Sequence, residues 1–410
     1  MLGGARASGL FRGTRAKLAG AVWGILIAMP TGKRIGLLFG VLVALAPRLA
    51  WAQPGSPLPQ DRPASLPAPT PAAPVLDTRS VRSLHLDLLG RPPLRDEGER
   101  WIGKPFAELV DEIVGSHGFW EQWFEEQLYY FLLVNNFRPQ AERVLAIPAD
   151  LAARKLDVRA AIHLIALSPN FDLRNPGADT FVTVVMEQLN GVQVQKSPRD
   201  LEIGKKLYDG GEGVFLGVAG HSQADVVRIA VENKNFARHF IGREFERVVH
   251  RKIDAKEWAA SAAEFQRDPA SYAAIVRRWV TSDVYQTRLE NRVAQPNRLF
   301  VRALFVDLLD RMPTKEESEP MREALDGLSD PAPLRAILVR MMLDSGQVPV
   351  VKRDAIGDPA AWVQKLFARL LGRAPSAPEL ATFVAALSEP DCRPQTVLCA
   401  LLSSAEYQQY

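Results

Sequence analysis

Two cysteines, Cys392 and Cys399, are all that the 410 residues contain, and neither stands in a C-x-x-C-H motif, which excludes covalent c-type haem in this chain. On one continuous helix, residues seven apart are separated by about 10 Å of rise, too far for a disulfide. Pro394 places Cys392 just before a helix, so an oxidising compartment permits a bond there without requiring one. A charge surplus is also missing. Fifty basic residues against 47 acidic ones leave a net charge of +3, spread along the chain, so nothing electrostatic calls for a nucleic-acid partner. No apolar run reaches the roughly 20 residues of a membrane-spanning helix, since Lys33 and Arg34 separate Leu18 to Met29 from Ile35 to Leu45. Strand-like alternation is scarce, with Val192 to Val194 and Val214 to Val218 the two candidates. Ligand spacing is absent too: His239 and His250 lie three turns apart, about 16 Å along an axis, and with Arg243 and Glu246 they read as a solvated or ion-paired face. No metal and no cofactor is expected.

What the chain does have is a leader pattern and a large apolar fraction. Lys33 and Arg34 precede the apolar run Ile35 to Leu45, which ends at Ala50-Trp51-Ala52, the layout of a secretory signal with cleavage expected after Ala52. A start at Met29 would give that leader an ordinary length. Residues 53–76, rich in Pro and Ala, read as an extended linker. With 47% hydrophobic residues, the remainder is long enough for substantial cores. Three helical segments are expected: 77–175, 176–290 and 291–410. The expected location is periplasmic or cell-surface.

Helical spacing dominates from Asp77 onward, as in Val81, Leu84, Leu88 and Phe300, Leu304, Leu308. One element recurs: Leu88-Leu89-Gly90-Arg91-Pro92-Pro93, Leu308-Leu309-Asp310-Arg311-Met312-Pro313 and Leu370-Leu371-Gly372-Arg373-Ala374-Pro375. The Gly or Asp suits a helix C-cap, and Thr314 and Ser376 suit the next N-cap. Glu97, Glu317 and Glu379 follow in an early turn, where a carboxylate complements the helix dipole. A second element ends a helix in Ser-x-x-aromatic: Ser116 to Phe119, Ser168 to Phe171, Ser282 to Tyr285 and Ser404 to Tyr407, with Asn233 to Phe236 a polar variant. The expected class is all-α, built of internally repeated helical units covering roughly 78–119, 297–347 and 361–410.

The Leu88 to Pro93 turn, the Leu109 to Ile113 helix, the Ser116 to Phe119 end and Trp120 with Trp123 resemble exported bacterial proteins of unknown function of the planctomycete-cytochrome-associated type. Phe215-Leu216-Gly217, Asp225-Val226-Val227 and Ala237 to Ile241 are similar to a sister exported family. The resemblance implies export, and relatives often fused to c-type haem or carbohydrate-binding modules. It carries over no catalytic residue.

Candidate chemistry is sparse. Gly220-His221-Ser222-Gln223-Ala224 resembles a nucleophile elbow, but without the surrounding α/β pattern Ser222 reads as the N-cap of a following helix. Trp120, Trp123 and Tyr130, on an aromatic-rich helix, are weak candidates for a ligand groove with Arg91 beside them; the competing reading is that the rings fill the core. Arg91, Arg311 and Arg373 are expected to bond helix-end carbonyls. Glu125 and Glu126, adjacent on a helix, point in different directions and make a poor acid and base pair. The expected function is non-catalytic binding or scaffolding in the envelope, with an envelope protein or polysaccharide as partner. The alternatives are an envelope hydrolase, serine or sugar-active, and an accessory to a haem or redox partner.

Overall fold

The computed structural model describes residues 75–132 and 141–410, so the leader and most of the linker lie outside the described residues. Among the described residues are 21 α-helices and one two-stranded antiparallel hairpin, Gly213–Phe215 with Val218–Gly220, which makes the fold all-α. The hairpin falls at one of the two strand-like stretches. At the other, Val194–Lys196 is a 3-10 turn instead, because three valine-spaced residues with no neighbouring edge have no partner for their backbone groups. None of the described helices is long and apolar enough to cross a membrane.

All described residues fall within one compact unit, Thr70–Tyr410. Inside it, buried apolar side chains from Leu76 to Leu289 form a single core, so the 77–175 and 176–290 segments pack as one body. A second core runs from Phe300 to Tyr407. Leu86, Leu299 and Tyr410 form a small third cluster. The chain end is held beside it: the Val293 and Tyr410 backbones exchange hydrogen bonds of 2.8 and 2.9 Å.

The three recurrent turns share one local geometry. Gly90, Asp310 and Gly372 close the helices Thr78–Leu89, Asn297–Leu309 and Pro359–Leu371 with φ of 63°, 54° and 66°, the left-handed cap that glycine adopts freely and aspartate tolerates. The arginine that follows does not bond helix-end carbonyls. It grips the glutamate six residues on through both nitrogens: Arg91 to Glu97 at 2.6 and 2.8 Å, Arg311 to Glu317 at 2.7 and 2.7 Å, Arg373 to Glu379 at 2.9 and 2.7 Å. The same glutamate accepts the backbone N–H of Leu94, Thr314 or Ser376 at 2.8 Å. Planar guanidinium and carboxylate meet edge to edge, which fixes the angle between successive helices more than it adds stability at an exposed site.

In the second recurrent element, the Ser116, Ser168 and Ser404 hydroxyls each donate to the carbonyl three residues back, at 2.7, 2.7 and 2.6 Å. The same oxygens accept the N–H of Phe119, Phe171 and Tyr407. One side chain thus ends one helix and starts the next, and all five rings are buried. Two of them do more. Tyr285 donates its hydroxyl to Asp87 at 2.7 Å, and Tyr407 to Asp307 at 2.8 Å. Asp87 and Asp307 each stand one residue before the Leu-Leu of a recurrent turn.

Asp307 also receives both terminal nitrogens of Arg82, at 3.0 and 2.8 Å, across 225 residues of sequence. The side chains of this pair are 7% and 2% exposed. A charge so enclosed is tolerable only while its partner remains. Asp307→Asn should therefore cost on the order of 3–5 kcal/mol in denaturant unfolding, and Tyr407→Phe about 1–2 kcal/mol. The double replacement Arg82→Leu with Asp307→Leu should recover most of the first loss. An Asp307→Asn protein as stable as the parent would contradict this.

Candidate functional site

The helix His117–Leu132 of the first core faces the helices Asn297–Leu309 and Lys315–Asp326 of the second. Between them side chains leave a cleft of about 680 Å³. Residues four apart on one helix lie on one face, and here two such faces meet. Arg302 pairs with Glu125 and donates to Gln122 Oε1 at 2.9 Å, while Arg298 pairs with Glu126. Gln122 Nε2 in turn donates to Glu126 at 2.7 Å. Glu125 and Glu126 diverge, as adjacent helical residues must, yet each finds its own arginine on the opposite wall. The walls are therefore pinned together by ion pairs.

Gly90 belongs to this framework for a steric reason beyond its positive φ. A Cβ there would lie 2.2 Å from Gln122 Oε1, so the amide that holds Arg302 needs the missing side chain. Arg302 returns a contact to the Gly90 carbonyl at 3.5 Å. The Arg95 N–H donates to Asp310 Oδ1 at 2.9 Å, joining two of the recurrent turns.

His85 lines the cleft and is 2% exposed. Its Nδ1 lies 2.8 Å from the Val81 carbonyl, which fixes the proton on Nδ1 and leaves the Nε2 lone pair 4.0 Å from Glu97. Burial outweighs both of those favourable contacts and pushes the imidazole down to about 4.

A smaller cavity of about 260 Å³ lies on the other side of Gln122, Arg298 and Arg322, which line both spaces. Its wall holds Asp87, which accepts from Tyr285, from His250 Nε2 at 2.9 Å and from Arg288 at 3.1 Å. Burial alone would raise the Asp87 pKa, but the His250 hydrogen bond and the Arg288 charge hold it below the ordinary carboxylate range. His250 caps its helix at φ 55°, and its Nε2 also meets the Tyr410 hydroxyl at 3.1 Å. So His239, Arg243, Glu246 and His250 do not share one solvated face, and of the four Arg243 and His250 are ion-paired, to Glu244 and Asp87. His239 lies 3.4 Å from the Tyr130 hydroxyl, whereas His250 turns to Asp87.

The residues singled out from sequence fall in different places. Arg91 stands at the rim of the cleft. Trp120 and Trp123 point inward, at 8% and 1% exposure, and pack around Tyr272. Tyr130 is half-buried beneath the Arg243 guanidinium, 3.9 Å from its ring centre. Ser222 caps the helix Gln223–Glu232. Its Oγ accepts from the Asp225 N–H at 3.1 Å and donates to Asp225 Oδ2 at 2.9 Å. His221 Nδ1 lies 3.2 Å from that same carboxylate. The serine proton thus goes to the acid rather than to the imidazole that a nucleophile would need. Cys392 and Cys399 are both free thiols. Among the described residues no group of three or more His, Cys, Asp or Glu is placed to hold a metal ion.

Sequence reasoning missed Gln122, Arg298, Arg302 and Arg322. A signal existed for one of them: Arg302 stands five residues before Asp307 as Arg82 stands five before Asp87. No family profile, curated protein or solved structure matches the chain.

The unfolded chain binds a proton on His85 below about 6.5, whereas the folded chain resists until about 4, so stability should fall as pH drops through that window. Urea unfolding against pH should show this loss, and His85→Gln should flatten it. NMR titration should find the ring neutral and Nδ1-protonated at pH 6; a ring titrating near 6.5 would contradict the burial argument.

Proposed function

We propose that this protein is an exported, non-catalytic binding or scaffolding protein of the bacterial cell envelope, related to the planctomycete-cytochrome-associated type, with the charge-lined cleft as its ligand site. Export is supported by the basic, apolar and small-x-small order of residues 33–52. The observation that carries the binding reading is the cleft itself. Its volume of about 680 Å³ lies within the range of small-molecule sites, roughly 300–1,000 Å³. Its lining mixes apolar Leu89, Ile113, Phe124 and Leu128 with charged side chains that are already oriented by partners. Such pre-organisation lowers the ordering cost of binding. A polysaccharide segment or a peptide of an envelope protein suits a groove of this mixed character, with the Arg91 and Glu97 pair in its lining.

Native mass spectrometry of the protein recovered from its own envelope fraction tests this. The expected result is a bound ligand on the parent protein and none on Ser318→Trp, which puts an indole on the cleft face of the helix Lys315–Asp326. A parent protein without ligand, or binding indifferent to Ser318→Trp, overturns the cleft. Ester or glycan turnover abolished by Ser222→Ala would replace the reading with a hydrolase. A haem absorbance in the recovered complex would favour the redox-accessory alternative.

A further inference from the structure

Four arginines are buried among the described residues: Arg82, Arg288, Arg322 and Arg335. Three of them each donate to at least one acceptor, although Arg288 Nε is also enclosed without a partner. Arg82 holds Asp307, Arg288 holds Asp87, and Arg335 donates to Asn297 Oδ1 and the Gln295 carbonyl at 2.6 and 2.7 Å. Arg322, 9% exposed, donates no hydrogen bond to any described residue, and its Nε is enclosed without a partner. Its ion-pair contact, Asp326 Oδ2, lies 3.6 Å from Nε, outside hydrogen-bonding range, and is half-exposed, while the other oxygen, Oδ1, accepts from Asn297 at 2.8 Å.

A guanidinium whose Nε–H is enclosed without an acceptor, and whose terminal nitrogens donate to no described residue, is stabilised when something supplies the acceptors. Arg322 stands in the wall that separates the two cavities and lines both. The neighbouring carboxylates are each paired with another cation: Glu125 with Arg302, Glu126 with Arg298, Glu319 with Lys315. We infer that Arg322 is the anion-recognition residue of the cleft, and that the ligand presents a carboxylate or phosphate whose paired oxygens meet its guanidinium. The inference rests on the cleft being the binding site, and it names the chemical class that the site takes. Planar two-point pairing is the geometry in which arginine outperforms lysine toward such groups.

The test uses the full chain and two probes, inorganic phosphate and acetate, titrated at matched ionic strength against chloride, with thermal unfolding and the Arg322 Nε–Hε NMR signal as readouts. Phosphate, acetate or both should raise the melting temperature and shift that signal, and Arg322→Met should weaken the effect about tenfold or more. Preference for one probe tells a phosphoryl from a carboxyl source. Without anion, Arg322→Met should be as stable as the parent or more so, since it removes an unsatisfied buried charge. Equal responses from parent and variant, no response from the parent, or a variant clearly less stable without anion would each overturn the inference. A ligand still recovered from the envelope and excluded by Ser318→Trp would then leave the cleft reading standing without an anion site.

Discussion

The Arg82 and Asp307 pair is the interaction on which the arrangement depends. Arg82 leaves the first helix of the first core, meets Asp307 in the second core, and donates its remaining capacity to the Arg369 carbonyl at 3.2 Å near the end of a third helix. Tyr407 closes the set from the chain's last turn. Helices from both ends of the sequence are therefore locked at one buried point, where any separation would strand a charge. Gly372 shows how close the approach is: a Cβ there would lie 3.1 Å from the Arg79 backbone. The cleft lies between helices of the same two cores, where Arg302 bridges to Glu125.

Much of the local structure was readable in the sequence because it is encoded within a few residues. The left-handed caps at Gly90, Asp310 and Gly372 follow from residue type. The serines of the second motif end and start helices by hydrogen bonds spanning three residues, and the rings that follow are buried as their spacing predicts. The recurrent arginine pairs with Glu97, Glu317 or Glu379 rather than with the helix-end carbonyls its position suggests. Each pair is only six residues apart, but the turn must fold before the guanidinium meets the carboxylate.

What the sequence concealed is long-range. Asp87 and Asp307 hold the same register, yet nothing local says that one will accept from Tyr285, 198 residues away, and the other from Arg82. Aromatic richness in the helix His117–Leu132 drew attention to Trp120 and Trp123, but hydrophobic payload favours burial, and both turn to Tyr272 in the core. The polar face of that helix, Gln122, Glu125 and Glu126, borders the cleft. Its importance depends on Arg298 and Arg302, more than 170 residues away.

An anionic ligand held in the cleft at Arg322, whose Nε has no hydrogen-bond acceptor, is tested most directly by a crystal structure of the protein purified without denaturation from its own envelope. The expected result is ligand density in the cleft with two oxygens within hydrogen-bonding distance of the Arg322 guanidinium. A cleft filled only by ordered water, with those waters completing the Arg322 hydrogen bonds, would contradict it.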